Sequence, residues 1–287
     1  MQGPTIKTYF AKQKNLDPRK IVNVALTPCT TKKFEIEREE MCASADYHGI
    51  PGMRDMDLVI TTRELARWAK EAGIDFHSLP DASYDDIMRR ASGAGVIFGN
   101  TGGVMEVALR TAYEYLTAPP APEALYDLQP VRGYDGIREA TLHVGEHELN
   151  VAVVYGTANA RTLIERMKNG GKQYHFIEVM ACPGGCIGGD GQPKDLLKDA
   201  DQIRQSRISG LYARDASLTV RKSHENPDIK LVYEQFYGQP LSEMAEKMLH
   251  TIYTDRSNTL HVERRTYYEK VEVQSLRLHL RGRVSTR

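Results

Sequence analysis

Cysteine is scarce in this chain, and neither sign of charge dominates it. The 287 residues include four cysteines, at positions 29, 42, 182 and 186, too few and too unevenly spread for the disulfide framework of a small secreted protein. Thirty-eight basic residues balance 38 acidic ones, which argues against a general binder of nucleic acid or anionic membranes. The cysteines are therefore expected to be free thiols or metal ligands.

Long apolar runs are also missing. None approaches the roughly 18 residues that a membrane-spanning helix needs, and the first residues, MQGPTIKTYFAKQ, lack the apolar core of a signal peptide. With 41% hydrophobic and 26% charged residues, the composition is that of an ordinary globular protein. These features predict a cytoplasmic location and no membrane span.

The apolar pattern predicts an α/β fold of mixed sheets flanked by helices, with a helical C-terminal part. Strands are expected for KIVNVALT (20–27), as a buried strand, and for DMDLVIT (55–61), AGVIFGN (94–100) and YHFIEVMA (174–181). A hairpin is expected to turn at Gly145. Helices are predicted for segments with apolar residues at helical spacing, namely TIKTYFAKQKN, TTRELARWAKEAG, TGGVMEVALRTAYEYL, ANARTLIERMKNGG and the long segments after residue 193.

Two cysteine segments follow predicted strands. KIVNVALT leads into Cys29, and YHFIEVMA leads into Cys182. Because ligand sites collect at the carboxyl ends of strands in α/β sheets, the two segments are expected to face one site.

Glycine dominates the second cysteine segment, VMACPGGCIGGDGQP (179–193), in which five of fifteen residues are glycine. A thiolate-bound iron–sulfur cluster is bulky and anionic, so the backbone must approach it closely and point N–H groups at its sulfurs. Glycine permits both, because it has no side chain and accepts positive φ. A tight structural turn and half of a zinc site remain alternatives at this point, although the Cys-x-x-x-C spacing does not suit zinc.

A nucleotide-binding loop is a weaker alternative elsewhere in the chain. GAGVIFGNTGG (93–103) lies ahead of a predicted helix, as phosphate-binding turns do. It does not match Gly-x-Gly-x-x-Gly in register, and it lacks the Gly-Lys-Ser/Thr of a P-loop. The sequence therefore argues against a nucleotide-binding protein.

Three segments closely resemble signatures of the iron-only (FeFe) hydrogenases. They are TPCTTKKFEIER, FGNTGGVMEVALRTAYE and FIEVMACPGGCIGGDGQP, in the family's order and at similar separations. The resemblance covers about residues 1–256 and implies the C-terminal part of the catalytic domain, with the cluster site between lobes. Residues 257–287 run beyond it as a basic tail, interpreted as disordered rather than as a partner-binding arm.

The resemblance implies a cofactor and its ligands. In this family a 4Fe-4S cubane is bridged to a two-iron subcluster that carries CO, cyanide and a dithiolate. Cys29, Cys182 and Cys186 match three cubane ligands, with Cys186 in the bridging position. Lys32 matches a lysine that donates to a cyanide ligand, and Glu35 matches a carboxylate of the proton relay.

Four further residues match positions that line the family's pocket. Met180 corresponds to a methionine packed against the two-iron unit, and a polarizable thioether suits such a dry site. Phe98 and Gly99 correspond to residues lining the same pocket. Thr27 stands where the family usually has methionine, which implies a smaller and more polar wall on that side.

Other departures from the family concern cysteine and charge. Nothing here resembles the family's first signature, which supplies the fourth cubane ligand and the proton-relay cysteine; a truncated reading frame or a separate polypeptide with the missing lobe would explain this. Cys42 is interpreted as a bystander. Asp190 replaces a usual glycine, and its carboxylate is expected either to lower the cluster's reduction potential or to face water. The sequence also has no Cys-x-x-Cys-x-x-Cys run for accessory clusters.

The function implied by the resemblance is reversible oxidation of H2 to protons and electrons in an anaerobic metabolism. Expected partners are H2, protons, and ferredoxin or another electron-transfer protein or subunit. A hydrogenase-like protein that serves iron–sulfur assembly or sensing without H2 turnover is the alternative, which Thr27 and the absent first signature favour.

Overall fold

A computed structural model describes residues 1–85, 88–133 and 136–256. The predicted basic tail, 257–287, lies outside the described residues. Residues 1–250 form one compact unit, and 251–256 fall in a second. The strands are β1 (Val24–Thr27), β2 (Leu58–Thr61), β3 (Ile137–Val144), β4 (His147–Tyr155) and β5 (Phe176–Met180).

Helices make up most of the remaining regular structure. The α-helices are α1 (Gln2–Thr5), α2 (Ala11–Gln13), α3 (Lys32–Glu35), α4 (Ala43–His48), α5 (Thr62–Glu71), α6 (Gly93–Ile97), α7 (Gly103–Thr117), α8 (Thr157–Lys168), α9 (Ala200–Ser217), α10 (Pro227–Val232) and α11 (Glu243–Leu249). Turns of π-helix cover Ile6–Phe10 and Tyr233–Tyr237, and 3₁₀ turns cover Pro18–Lys20, Glu123–Tyr126, Gln129–Val131, Cys186–Gly188 and Ser223–Glu225. No helix in this part of the chain is both long and apolar enough to cross a bilayer.

The strands form two separate sheets in the described chain. β1 and β2 pair in parallel, with Val24 opposite Leu58 and Thr27 opposite Thr61. The second sheet has the order β3-β4-β5; β3 and β4 form the predicted hairpin, and β5 runs parallel to β4. Both cysteine-bearing segments leave a sheet at the carboxyl end of a strand, which confirms that expectation.

The expectation of a buried first strand is wrong. The strand is limited to Val24–Thr27, and its side chains are exposed or half-buried, with Val24 at 49% and Leu26 at 56% exposure. On the neighbouring strand, Leu58 is 50% exposed. Parallel sheets are normally covered on both faces, so this small sheet presents an unusual apolar surface to solvent.

The strand predicted for AGVIFGN is also wrong, because Gly93–Ile97 forms helix α6. Ser92 caps the helix by accepting a hydrogen bond from the Gly95 amide at 3.1 Å. Ala94 and Ile97 are fully buried, with Val107 in the same apolar cluster. A short apolar run does not distinguish a buried strand from a buried helix turn, and here tertiary packing decides.

Helix α7 is held by a buried network of charged side chains. Arg110 is fully buried and donates to both carboxylate oxygens of Asp215 on α9, at 3.2 and 3.0 Å. Glu106, also fully buried, accepts from Arg132 at 2.8 Å. Each buried charge thus has opposite partners, without which its desolvation would be costly. The network fixes α7, and with it the glycine segment at its N-terminus.

The helices at the two ends of the compact unit pack together. Thr5 and Tyr237 share a buried hydrogen bond of 2.5 Å, and Tyr9 donates to Gln235 at 2.7 Å. Tyr9, Val232 and Met248 belong to one apolar cluster. The N-terminal helix and the helices after residue 226 therefore share one core.

Candidate functional site

Two strands deliver the cysteines of the candidate site. Thr27 ends β1 and Met180 ends β5, so Cys29 and Cys182 each follow a strand by two residues. Cys186 begins the 3₁₀ turn Cys186–Gly188 inside the glycine loop. The Gly185 amide donates to the Cys182 carbonyl oxygen at 3.0 Å, which closes the loop between these two cysteines.

The glycine loop is hydrogen-bonded to the segment before α7. The Thr101 amide donates to the Gly184 carbonyl at 3.1 Å, and the Ile187 amide donates to the Gly99 carbonyl at 3.1 Å. Gly185 has φ +92°, and a Cβ there would lie 2.6 Å from the Thr101 amide nitrogen. Only glycine permits both this dihedral angle and this approach.

The same loop is also tied to the Cys29 segment. The Gly191 amide donates to the Pro28 carbonyl at 2.9 Å, and the Gly191 carbonyl accepts from the Arg63 amide at 2.8 Å. A Cβ on Gly189 would lie 2.4 Å from the Pro28 carbonyl oxygen. The cysteine segments of the two sheets are thereby brought together around one loop.

The thiols influence one another electrostatically. Burial, and then the nearby Cys29, raise the pKa of the Cys182 thiol. Burial and the neighbouring Cys29 and Cys182 raise the pKa of Cys186, and Lys32 opposes this rise. Thiolates crowded in this way need a cation to stabilise them, and a bound metal releases their protons.

The spacing of the three sulfurs bears on the kind of metal site. Within the described residues, the sulfurs of Cys29, Cys182 and Cys186 do not all lie within 4.8 Å of one another. Ligands of one tetrahedral zinc ion, at about 2.3 Å from the metal, lie only about 3.8 Å apart. The three sulfurs therefore do not match the ligand spacing of a single tetrahedral zinc ion.

Lys32 and Glu35 pair with each other on helix α3. Their charged atoms are 2.6 Å apart, and both side chains are partly exposed. The adjacent Lys33 instead pairs with Glu64 at 2.7 Å. Of the two neighbouring lysines, Lys32 acts electrostatically on Cys186, whereas Lys33 is engaged with Glu64.

The predicted pocket residues lie on the segments that carry or contact the cysteines. Phe98 directly follows α6 and is 42% exposed, and the Gly99 carbonyl accepts from the glycine loop. Met180 is half-buried and is the cross-strand partner of Tyr155 in the second sheet. Thr27 is also half-buried and is the cross-strand partner of Thr61 in the first sheet. Their assignment to a cofactor pocket stays a prediction.

Sequence reasoning missed three buried polar residues beside these segments. Both amide atoms of Asn100 and the Thr101 hydroxyl are buried without a hydrogen-bond partner. Glu178 on β5 accepts from the amides of Gly102 and Met105, at 2.6 and 2.8 Å, and burial raises its pKa. Asn100 and Thr101 lie inside the glycine motif, but their burial could not be inferred from it.

The remaining candidates are set apart or face water. The Cys42 sulfur donates to the Glu39 carbonyl at 3.0 Å, and the charges that act on it are Asp46, Asp55, Arg54 and Glu40, with no thiol among them. Asp190 is exposed and pairs with Lys194 at 3.1 Å. Its charge nevertheless contributes to the raised pKa of Cys182.

The residues of this site fit an iron–sulfur cofactor. Three thiols converge on a loop whose backbone excludes side chains, and two unpaired polar side chains are buried on the segment bonded to it. Buried polar groups without partners are rare in proteins and indicate a missing ligand or water.

Comparison with known proteins identifies the family to which the chain is similar. Residues 1–190 match the family model of the iron only hydrogenase large subunit, C-terminal domain, and residues 201–256 match that of the iron hydrogenase small subunit. The chain is 45% identical over 261 residues to the NADP-reducing hydrogenase subunit HndD of Solidesulfovibrio fructosivorans, covering 89% of this chain and 42% of that protein.

A second relative is the periplasmic [Fe] hydrogenase large subunit of Nitratidesulfovibrio vulgaris, 44% identical over 225 residues, which are 78% of this chain and 51% of that protein. Cytosolic iron-sulfur assembly component 3 of Mus musculus is 32% identical over 257 residues, which are 88% of this chain and 52% of that protein. The chain therefore spans about half the length of these curated relatives.

A solved structure of apo [FeFe]-hydrogenase HydA1 from Chlamydomonas reinhardtii matches the fold with a TM-score of 0.71 and 40% identity. The match covers 88% of this chain and 67% of that one. It confirms the predicted mixed α/β class.

Proposed function

This chain belongs to the iron-only hydrogenase large-subunit family, and on that premise we propose that it binds a hydrogenase cofactor and takes part in reversible H2 oxidation. The cofactor is a 4Fe-4S cubane bridged to a two-iron subcluster with CO, cyanide and dithiolate ligands. Cys29, Cys182 and Cys186 would hold the cubane, with Cys186 proposed for the position next to the two-iron unit. The observation that carries the proposal is the convergence of these thiols, from two strand ends, on a loop that only glycine can form.

Lys32 supplies positive charge at the edge of the site. When bound, the two-iron unit supplies the position at which H2 is split or formed. The Lys32 ammonium would donate a charge-assisted hydrogen bond to an anionic ligand there, which would stabilise the more negative, reduced state. Its pairing with Glu35 at 2.6 Å gives the ammonium a second partner, so Lys32 exchanges one anion for another without losing its charge partner.

Glu35 carries protons between the site and solvent. Its carboxylate is half-buried beside Lys32, so it can accept a proton on the inner side and release it to water. Met180, Phe98, Gly99 and Thr27 would line the reacting position on this chain's side, and because Phe98 is 42% exposed, a covering partner would be needed to exclude water.

Electron transfer and pocket closure require partners. Ferredoxin or another electron-transfer protein or subunit delivers and removes electrons. The exposed apolar side chains of the β1–β2 sheet, Val24, Leu26 and Leu58, favour a further polypeptide that covers this face and completes the pocket wall. The cytoplasmic location remains a prediction, since one relative is named a periplasmic enzyme.

The second candidate function is iron–sulfur assembly or sensing without H2 turnover. It is favoured by the relative named cytosolic iron-sulfur assembly component 3, at 32% identity. In this function the cysteine site holds only a cubane, and Thr27, small and polar, does not contribute a thioether wall.

Anaerobic infrared spectroscopy separates the two functions. The chain is loaded with a cubane, matured with a synthetic two-iron cofactor, and examined where iron-bound CO and cyanide absorb. For hydrogenase function we expect CO and cyanide bands. The bands should be lost in Cys186→Ser and kept in Cys42→Ser. A cubane without any CO or cyanide bands, in this chain and after addition of the remaining lobe of a relative, would reject hydrogenase function and leave the assembly function.

A further inference from the structure

We propose that the side-chain amide of Asn100 donates a hydrogen bond to a sulfur of the bound cubane and thereby raises its reduction potential. The inference rests on the proposed cubane binding at Cys29, Cys182 and Cys186, and it adds to that site a residue that is not a metal ligand. The partner of the amide is an anionic sulfur, either an inorganic sulfide of the cubane or the Cys186 sulfur bonded to it.

Asn100 is fixed against the part of the glycine loop that carries Cys186. The amide of the residue after Asn100 donates to the Gly184 carbonyl, and the carbonyl of the residue before it accepts from the Ile187 amide, both at 3.1 Å. Gly184 and Ile187 stand on either side of Cys186 in the sequence. The two bonds therefore hold the Asn100 backbone beside the Cys186 backbone.

The contact between the two segments is close. A Cβ on Gly185, the residue before Cys186, would lie 2.8 Å from the Asn100 carbonyl carbon. Gly184 and Gly185 have no side chains, so none stands between the Asn100 segment and a cofactor on the loop. The loop thus permits a polar side chain at position 100 to act on that cofactor.

The Asn100 side chain is buried without a partner. It is 1% exposed, and neither its amide oxygen nor its amide nitrogen has a hydrogen-bond partner in the part of the chain that the structure describes. The backbone of the same residue is fully paired, with the Ile97 carbonyl and the Gly103 amide, both at 3.0 Å. Because an unpaired buried amide loses its bonds to water without replacement, the side chain is expected to bond to a ligand.

A polypeptide packed on the outside of this unit would not supply that bond. The described residues already cover both amide atoms, so a segment docked on the surface does not touch them. A cofactor held by the cysteines differs, because it is enclosed by the same segments that enclose Asn100. The inference is therefore independent of what else covers the site.

The neighbouring Thr101 provides a matched control. Its hydroxyl is also buried without a partner, but Thr101 lines a cavity of about 360 Å³ together with Gln129, Gln205 and Ser209. A polar cavity of this size has room for water that bonds to its walls. Asn100 does not line this cavity. Water is thus the expected partner of the Thr101 hydroxyl, and the cofactor that of the Asn100 amide.

A donor at a cluster sulfur favours the reduced cluster. Reduction adds negative charge to the cluster, and an N–H group that points at a sulfur stabilises this charge. A primary amide has two N–H donors and no net charge. Its removal should lower the equilibrium constant for one-electron reduction about threefold to tenfold, where tenfold corresponds to about 59 mV.

The test uses the full chain, produced with asparagine labelled with ¹⁵N at the side-chain amide, purified anaerobically and reconstituted with iron and sulfide. Pulsed electron paramagnetic resonance of the reduced cubane should show a ¹⁵N coupling that is lost in Asn100→Ala and kept in Thr101→Val. A redox titration should give a lower potential in Asn100→Ala and in Asn100→Leu, and an unchanged potential in Thr101→Val.

Denaturant unfolding of the cofactor-free chain separates this role from a structural one. Replacing a merely structural asparagine would lower the unfolding midpoint and leave the potential of a bound cubane unchanged. For a donor to the cofactor we expect the reverse, because the amide makes no hydrogen bond in the cofactor-free chain.

Two results would overturn the inference. A cubane whose reduced form shows no ¹⁵N coupling, or one that is kept in Asn100→Ala, has no donor at Asn100, and the proposed cubane binding survives. If no cubane forms in the unaltered chain, the inference and the proposed cofactor fail together. If an Asn100 variant binds no cubane, the ¹⁵N coupling of the unaltered chain and the potential of the other variant decide.

Discussion

The Gly191 amide donates a hydrogen bond to the Pro28 carbonyl at 2.9 Å. The bond joins the residue before Cys29 to the loop that carries Cys182 and Cys186, and it connects the ends of two separate sheets. Because Arg63 also donates to the Gly191 carbonyl at 2.8 Å, the loop is anchored to both β1 and the start of α5. Backbone contacts therefore position the segments that carry the cysteines.

Gly185→Ala should open this arrangement. A Cβ would meet the Thr101 amide at 2.6 Å, at a φ of +92°, so we expect a loss of about 3 kcal/mol in the free energy of unfolding and less bound iron. The control is Gly210→Ala at an exposed position of helix α9, where nothing lies within 4 Å; it should gain up to about 1 kcal/mol. Denaturant unfolding measures both, and equal effects would contradict the close approach.

The three clustered cysteines should differ sharply from the fourth. Cys29→Ser, Cys182→Ser and Cys186→Ser each remove a thiolate ligand, and each should lower iron and sulfide per reconstituted chain to less than half. Cys42→Ser should keep both at the starting level, because its sulfur bonds to the Glu39 carbonyl instead. Iron and sulfide assays give the answer, and iron loss in Cys42→Ser would refute the assigned ligand set.

Asp190→Asn should raise the reduction potential of a bound cubane. The Asp190 charge contributes to the raised pKa of Cys182, so its removal favours the more negative, reduced cluster. The side chain is exposed and paired with Lys194, which limits the effect to about 20 mV, since exposed charges interact by roughly 0.2–1 kcal/mol. A redox titration of the reduced signal measures it, with Asp195→Asn as control. A lower potential would contradict the sign.

Lys222→Met should destabilise the chain in a pH-dependent way. The Lys222 hydrogen bond is the first cause that lowers the pKa of Glu114 from 4.5 to about 2. A carboxylate with a depressed folded-state pKa stabilises the fold above its unfolded pKa and loses this contribution as pH falls through the folded value. The variant should lose about 2 kcal/mol at pH 7, and its difference from the unaltered chain should shrink between pH 4.5 and 2.

Urea unfolding at several pH values tests this prediction, and Lys230→Met, at an exposed position of α10, is the control. Lys230 should show less than about 0.5 kcal/mol at any pH, as expected for a surface substitution. A loss in Lys222→Met that is constant from pH 7 to pH 2 would assign the effect to packing rather than to the Glu114 charge.

Much of the local structure could be predicted from the sequence. The capping box at Thr61, the left-handed Gly73 that ends α5 and the hairpin at Gly145 all follow from residues close in sequence. The ion pair of Lys32 and Glu35 can also be predicted from nearby residues, because side chains three residues apart lie on one face of a helix. The delivery of Cys29 and Cys182 by strands was predictable for this reason too.

Other features depend on distant contacts. AGVIFGN is a helix because Ser92 caps it and α7 and α9 enclose its apolar side chains, and no residue within the segment determines that outcome. The exposure of Val24 and Leu26 likewise depends on what packs against β1 rather than on its composition. The burial of Asn100 and Thr101 without partners is equally invisible in the motif.

The sequence by itself determined the donor set: which residues are thiols, where glycine interrupts them, and how each strand leads to a cysteine. Residue type and spacing are local properties, and they limit the chemistry before the chain folds. Only the tertiary structure decided that Gly191 bonds to Pro28 and Ile187 to Gly99, that three thiols influence one another, and that Cys42 lies elsewhere. Those outcomes require segments more than 80 residues apart to pack together, and packing over such distances is decided by the whole core rather than by any motif.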